Sequence, residues 1–169
     1  DGTVVAWGRS QYGQADVPSD LSDVIQVSAG ADFSLALKSD GTVVAWGRSN
    51  DGQTYVPEEL TGVVLIQALG QHSLALKYDG TVVAWGRNDN GQSDVPAGLS
   101  DVVGFGGHGA HSLVFKADGT VIGFGNELNY APQDIPSGLN VGTGFSQCYP
   151  DCAGNLGGDS MVDECGQCG

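Results

Sequence analysis

A nine-residue string recurs along the chain at a fixed step, and this repeat constrains the fold more than any other feature. DGTVVAWGR begins at Asp1, recurs at Asp40 and Asp79, and returns as DGTVIGFGN at Asp118, with a step of 39 residues each time. The SLALK strings that begin at Ser34 and Ser73, and SLVFK at Ser112, keep the same step. Fixed-period self-similarity of this length is typical of one supersecondary unit stacked on copies of itself.

Each unit is predicted to contain a β-hairpin. Residues 34–47 read SLALKSDGTVVAWG, two alternating apolar runs separated by the pair Asp40-Gly41. An Asp-Gly pair in this setting predicts a type I′ turn, with positive φ at both central residues. That turn would place Leu37 opposite Val44. Both faces of the hairpin are apolar, as in a sheet covered on both sides by neighbours.

A third strand is expected upstream of each hairpin, near 24–27, 63–66 and 102–105. Antiparallel strands in units of about 40 residues, with no sustained helical period, predict an all-β chain of propeller-type blades. Three repeats are full and the fourth is degenerate, so we expect an incomplete propeller or open arc. The expected repeat core comprises Trp7, Trp46, Trp85, Phe124, Leu35, Leu37, Leu74, Leu76 and Leu113.

The repeated pattern S-L-A-L-K-x-D-G-T-V-V-A-W-G-R resembles the repeats of the regulator of chromosome condensation family, and covers about residues 1–147. In its short period it is closest in style to the bacterial seven-bladed propellers that inhibit beta-lactamases. The resemblance implies a propeller fold that binds proteins through its loop faces. It does not imply one activity, because members of a fold family differ in function.

The number of repeats is too small for a ring, since closure in this family takes about seven blades. Further blades in a longer parent chain, closure with another chain, or end-to-end stacking of copies would each complete the arc. The chain opens within a repeat and without Met, so we expect a trimmed product or a segment of a longer polypeptide.

Residues 148–169 form a separate acidic, Gly-rich segment that carries all four cysteines. They are Cys148, Cys152, Cys165 and Cys168. The segment resembles Cys/Asp/Gly-rich modules of large secreted bacterial proteins, which favours a disulfide-bearing stalk over zinc ligation or free thiols. The carboxylates are weak Ca²⁺ candidates that lack a regular calcium-loop pattern. They are Asp151, Asp159, Asp163 and Glu164.

The charge balance excludes some partner classes. With 6 basic and 20 acidic residues the formal net charge is −14, which disfavours nucleic acid and anionic membrane surfaces. No apolar run approaches the roughly 20 residues that span a bilayer. Together with the cysteine segment, this predicts a secreted or cell-surface protein.

No set of residues predicts catalysis, and no cofactor is expected. His72 and His111 share a repeat column with Phe33, which indicates packing or hydrogen bonding within a blade rather than acid–base chemistry. Loop residues that differ between repeats are the predicted binding rim, namely Tyr12, Tyr55, Asn88 and Tyr130. We therefore predict a non-enzymatic structural or adhesive protein that binds protein or glycan partners, copies of itself or further blades. The alternative is a soluble inhibitor of the beta-lactamase-inhibiting type.

Overall fold

The structure is a computed structural model that describes residues 2–125. Several predicted features lie outside the described residues: Tyr130, the fourth repeat beyond residue 125, and the segment 148–169 with its four cysteines and its calcium candidates. The described part of the chain contains no helix with the length and apolar character that crossing a membrane requires.

Within residues 2–125, nine strands form three antiparallel sheets of three strands each, which confirms the all-β prediction. We call these sheets the first, second and third blades. The first contains β1 (Val24–Ala29), β2 (Phe33–Lys38) and β3 (Val43–Gly47). The second contains β4 (Val63–Ala68), β5 (His72–Lys77) and β6 (Val82–Gly86), and the third contains β7 (Val102–His108), β8 (His111–Lys116) and β9 (Val121–Gly125). In each blade the strands lie side by side in chain order.

The register of the hairpin differs from the prediction by one residue. Leu37 lies opposite Val43, not Val44, and Trp46 lies opposite Ser34. Residues directly opposite each other share a face of the sheet. Trp46 and Leu37 therefore lie on opposite faces of the blade, a consequence of register that the hydrophobic pattern alone did not reveal.

The cause is the turn, which holds three residues rather than two. The Gly41 N–H donates to the Lys38 carbonyl at 2.9 Å, and Gly41 is the turn residue that takes a positive φ, of 79°. The Asp40 carboxylate accepts hydrogen bonds from the Thr42 N–H at 2.9 Å and the Thr42 hydroxyl at 2.6 Å. The predicted type I′ turn was wrong, because a three-residue loop that ends in a left-handed glycine uses the same Asp-Gly pair without strain at the aspartate.

Blades stack by placing one face against the opposite face of the next. The face of the first blade that carries Phe33, Leu35 and Leu37 packs against Ile66 and Trp85 of the second blade in one buried cluster. Leu76 and Val82 of the second blade then pack against Val102 and Val114 of the third. Each seam is thus heterologous, with leucines from one blade against the face of the following blade that carries Trp85 in the second blade and Phe124 in the third.

Residues 2–8 precede the first blade and correspond in the repeat to the third strand of a blade. We call this segment the arm. Val4 and Ala6 are half-buried, whereas Val5 is 79% and Trp7 is 85% exposed. Trp7 was expected in the core and is not, because among residues 2–125 no blade lies against the outer face of the arm. Of the other expected core residues, Leu35, Leu37, Leu74, Leu76 and Trp85 are buried, and Trp46, Leu113 and Phe124 are half-buried.

Candidate functional site

A glutamine in the loop before each blade ties that blade to its loop. The backbone carbonyl of buried Gln53 accepts hydrogen bonds from the Ser73 hydroxyl at 3.1 Å and the Trp85 indole N–H at 3.0 Å. Its side-chain oxygen accepts the Asp51 N–H at 2.9 Å. The same bonds recur one repeat earlier among Gln14, Ser34 and Trp46. The repeated Gly-Gln pair is therefore structural.

The third blade keeps half of this arrangement. The Ser112 hydroxyl donates to the Gln92 carbonyl at 2.8 Å, while Phe124 stands where Trp85 stands in the second blade. Phenylalanine has no N–H to donate. Loss of the tryptophan thus removes one of the two bonds at this position.

His72 forms a bond across the seam between the second and third blades. Its Nε2 lies 2.7 Å from Ser112 Oγ, and both side chains are fully buried. Because the Ser112 proton is directed at Gln92, the imidazole Nε2 carries the proton and donates it to Ser112. The predicted hydrogen-bonding role is correct in kind, but the bond joins two blades instead of lying within one.

The His72–Ser112 pair has the residue types of a nucleophile and its base, yet its environment is unsuited to catalysis. Burial lowers the pKa of His72 to about 4, and the nearby His111 acts in the same direction. A nucleophile must meet its substrate, and neither side chain is accessible to solvent. Within residues 2–125 no group of three or more His, Cys, Asp or Glu side chains is arranged to hold a metal ion.

The end of each blade that carries the β1–β2, β4–β5 and β7–β8 turns is named the loop end, and the opposite end the hairpin end. At the loop end the arginines pair locally. Arg48 lies 3.6 Å from both Asp32 and Asp51, and Arg87 donates to Asp89 at 2.8 Å. Each of these ion pairs lies within one blade and the loop that follows it.

Two of the predicted rim residues are exposed at this loop end. Tyr55 is 69% exposed, and the ring of exposed Tyr12 lies 5.5 Å from the Arg48 guanidinium carbon. Asn88 instead holds its own loop together, donating to Asp94 at 2.7 Å and accepting the Ser93 N–H at 2.9 Å. Tyr12 and Tyr55 remain candidates for a binding role, whereas the bonds of Asn88 are those of a structural residue.

An apolar surface on the first blade was not predicted from individual residues. Val27 is 56% exposed, and Ile25 of the same strand is exposed beside it. At the equivalent position of the second blade, Ile66 is fully buried against the first. Together with the outer face of the arm, Ile25 and Val27 form what we call the open blade face. The sequence contained a signal for this surface, since the first repeat carries the same apolar residue types as the second repeat.

The three stacked blades define an arc of a β-propeller. Residues 24–53 and 70–92 match the regulator of chromosome condensation (RCC1) repeat. The chain therefore carries RCC1-type propeller repeats. None of the curated proteins compared with the chain matches it.

Solved structures agree on the fold. Human WBSCR16 superposes with a TM-score of 0.61 at 24% identity, over 70% of this chain and 41% of its own. Yeast RCC1 (Prp20), solved bound to Kap60, gives 0.54 at 26% identity over 64% and 31% of the two chains. Prp20p from Saccharomyces cerevisiae, whose binding to Gsp1p and histones was studied, gives 0.57 at 23% identity over 83% and 38%. The chain thus spans well under half the length of these relatives.

Proposed function

We propose that the chain is a non-enzymatic, protein-binding propeller segment whose open blade face accepts another blade. The observation that carries the proposal is the exposure of Val27 and Trp7. Ile66 is equivalent to Val27 one repeat later, Trp85 is equivalent to Trp7 two repeats later, and both are buried. Large exposed apolar patches mark interaction surfaces. The matching residue types support a partner surface like that of Phe33, Leu35 and Leu37.

Such a blade can come from a second copy of the chain or from a longer polypeptide that contains it. In the first case, heterologous contacts that do not close generate filaments, and in the second they complete a ring. A structural or adhesive role outside the cell accords with the acidic composition and the clustered cysteines. Protein and glycan partners of the completed assembly would then bind at its loop end, where Tyr12 and Tyr55 are exposed.

Electron microscopy of native material, with sedimentation of purified variants, tests the proposal. We expect rings or filaments, and we expect Val27→Asp to abolish the association. Tyr55→Ser is the matched control, because it removes an exposed aromatic side chain away from the open blade face. Particles that stay single at every concentration, together with a Trp7 that stays exposed in any longer polypeptide, would contradict the proposal.

Inhibition of a beta-lactamase is the second candidate function, and the exposed Tyr12 and Tyr55 at the loop end favour it. A steady-state inhibition assay against beta-lactamases of several classes tests it. Inhibition that is weakened by Tyr12→Ala without loss of thermal stability would support this candidate. Absence of inhibition across the classes would remove it.

A further inference from the structure

The two seams between blades differ at the hairpin end. In the first seam the Val63 N–H donates to the Gly41 carbonyl at 3.1 Å, and a Cβ placed on Gly41 would lie 3.2 Å from the Gly62 Cα. In the second seam a Cβ on Gly80, the equivalent of Gly41, would meet nothing within 4 Å. The first seam is closed at this end and the second is open.

The residues that tie the seams explain the difference. Gln26 donates to the Ile66 carbonyl and accepts the Ile66 N–H, both at 3.0 Å, which holds β1 and β4 together across the first seam. Leu65 takes the place of Gln26 in the second blade and has no polar group to form these bonds. The second seam is tied at the loop end instead, by His72 and Ser112.

The opening forms a cleft of about 540 Å³ between the second and third blades. This volume lies within the roughly 300–1,000 Å³ of typical ligand sites. Two segments line it, residues 78–82 from the turn of the second blade and residues 95–102 from the approach to the third. We call it the interblade cleft.

The lining combines apolar side chains with an aromatic ring and carboxylates. Val82 and Val102 are buried, while Tyr78 is 68% exposed. Asp79 lies 3.5 Å from Lys77, and hydrogen bonds from Thr81 hold the pKa of Asp79 below its ordinary value.

Asp101 is the second carboxylate of the lining. It accepts a hydrogen bond from the Ser100 hydroxyl at 2.8 Å and forms no ion pair with any residue in the range 2–125. A cation is attracted both to such a carboxylate and to the face of a tyrosine ring. The cleft is therefore complementary to a positive charge that adjoins an apolar group.

We propose that the interblade cleft binds an extended peptide in which a lysine or arginine adjoins an apolar side chain. The apolar side chain contacts Val82, Val95 and Leu99, and the cation lies between Asp101 and Tyr78. The strongly acidic chain, with a net charge of −14, attracts such a segment over a longer range. This site is separate from the open blade face, and its test is independent of that surface.

The test uses the intact chain, labelled with ¹⁵N, and the acetylated, amidated pentapeptide Leu-Arg-Val-Lys-Leu. We expect saturable binding with amide shifts confined to residues 78–82 and 95–102. Asp101→Asn should weaken binding about fivefold, as for the loss of one exposed ion pair. Tyr78→Ser should weaken it by about threefold, and serine is the residue found at the equivalent position 39.

Asp23→Asn is the matched control for Asp101→Asn. Asp23 and Asp101 share a repeat column, have φ of 59° and 58°, and each accepts a hydrogen bond from the preceding serine. Asp101 lines the cleft and Asp23 does not. Equal weakening by both variants would mean diffuse charge attraction and overturn the proposal.

Two further results would also overturn it. One is equal binding of a Leu-Glu-Val-Glu-Leu peptide, since the cleft would then not select a cation. The other is the absence of saturable peptide binding. This result overturns the proposal whether or not a neutral glucose oligomer binds at the same residues. In the glucose case the cleft would be a glycan site.

Discussion

His72 Nε2 lies 2.7 Å from Ser112 Oγ across the seam between the second and third blades, in a position where both side chains are fully buried. Ser112 in turn donates to Gln92, so a single chain of hydrogen bonds joins one blade to the loop of the next. This contact ties the seam at its loop end. It also makes the stability of the protein depend on the charge of one imidazole.

We expect the free energy of unfolding to fall as the pH drops from about 6.5 to about 4. The pKa of His72 is about 4 in the folded chain and 6.5 when unfolded, so the unfolded chain binds the proton first. Stability is complete above the unfolded pKa and decreases toward the folded pKa, by roughly 3 kcal/mol over the whole window. Urea titrations at several pH values measure this slope.

His72→Phe should remove that slope, because Phe33 already occupies the same repeat column. His108→Gln is the control, since His108 is exposed and its replacement should leave the slope intact. The pKa of Asp40, lowered chiefly by the Thr42 hydroxyl, affects stability below its ordinary value of 3.8, outside this window. A slope that persists in His72→Phe would assign it to another group.

Trp85→Phe should destabilise the chain by about 1–2 kcal/mol. The indole N–H donates to the Gln53 carbonyl at 3.0 Å in a buried site, and phenylalanine cannot replace that bond. The midpoint of urea unfolding measures the effect. Trp7→Phe, at an exposed tryptophan, should change stability by less than about 0.5 kcal/mol. Equal losses would mean that Trp7 is packed in solution.

Gly41→Ala should cost more stability than Gly80→Ala. The two glycines have φ of 79° and 83°, so both variants carry the left-handed penalty of about 1–2 kcal/mol. Only at Gly41 would the added methyl carbon also press on backbone, lying 3.2 Å from the Gly62 Cα. Thermal or urea unfolding compares the pair. Equal losses would show that the interblade cleft is closed in solution.

Gln26→Leu should cost about 2 kcal/mol, although leucine is the residue at the equivalent position 65. The substitution leaves both the N–H and the carbonyl of Ile66 without their partner in the seam. Gln11→Leu, at an exposed glutamine, is the control for the change in composition. A loss no larger than that of the control would show that water replaces the amide in the first seam.

The repeat, the strands and the type of fold follow from the amino-acid sequence alone. The 39-residue step, the alternating runs around each Asp-Gly pair and the upstream apolar segments predicted three-stranded blades, and these are present. Such features depend on neighbours within a few residues, because alternation and turn residues act locally. The buried positions of Leu35 and Leu74 accord with the same local pattern.

The face that each side chain occupies, and what it meets there, depends on the tertiary structure. A strand alternates every two residues, so a turn longer by one residue moved Trp46 to the face opposite Leu37. The partner of His72 lies 40 residues away, and no local pattern specifies a contact at that separation. Replacement of Gln26 by Leu65 is visible in the sequence. The effect of this difference on the second seam depends on how the blades stack, because a seam closes or opens through contacts between two repeats at once.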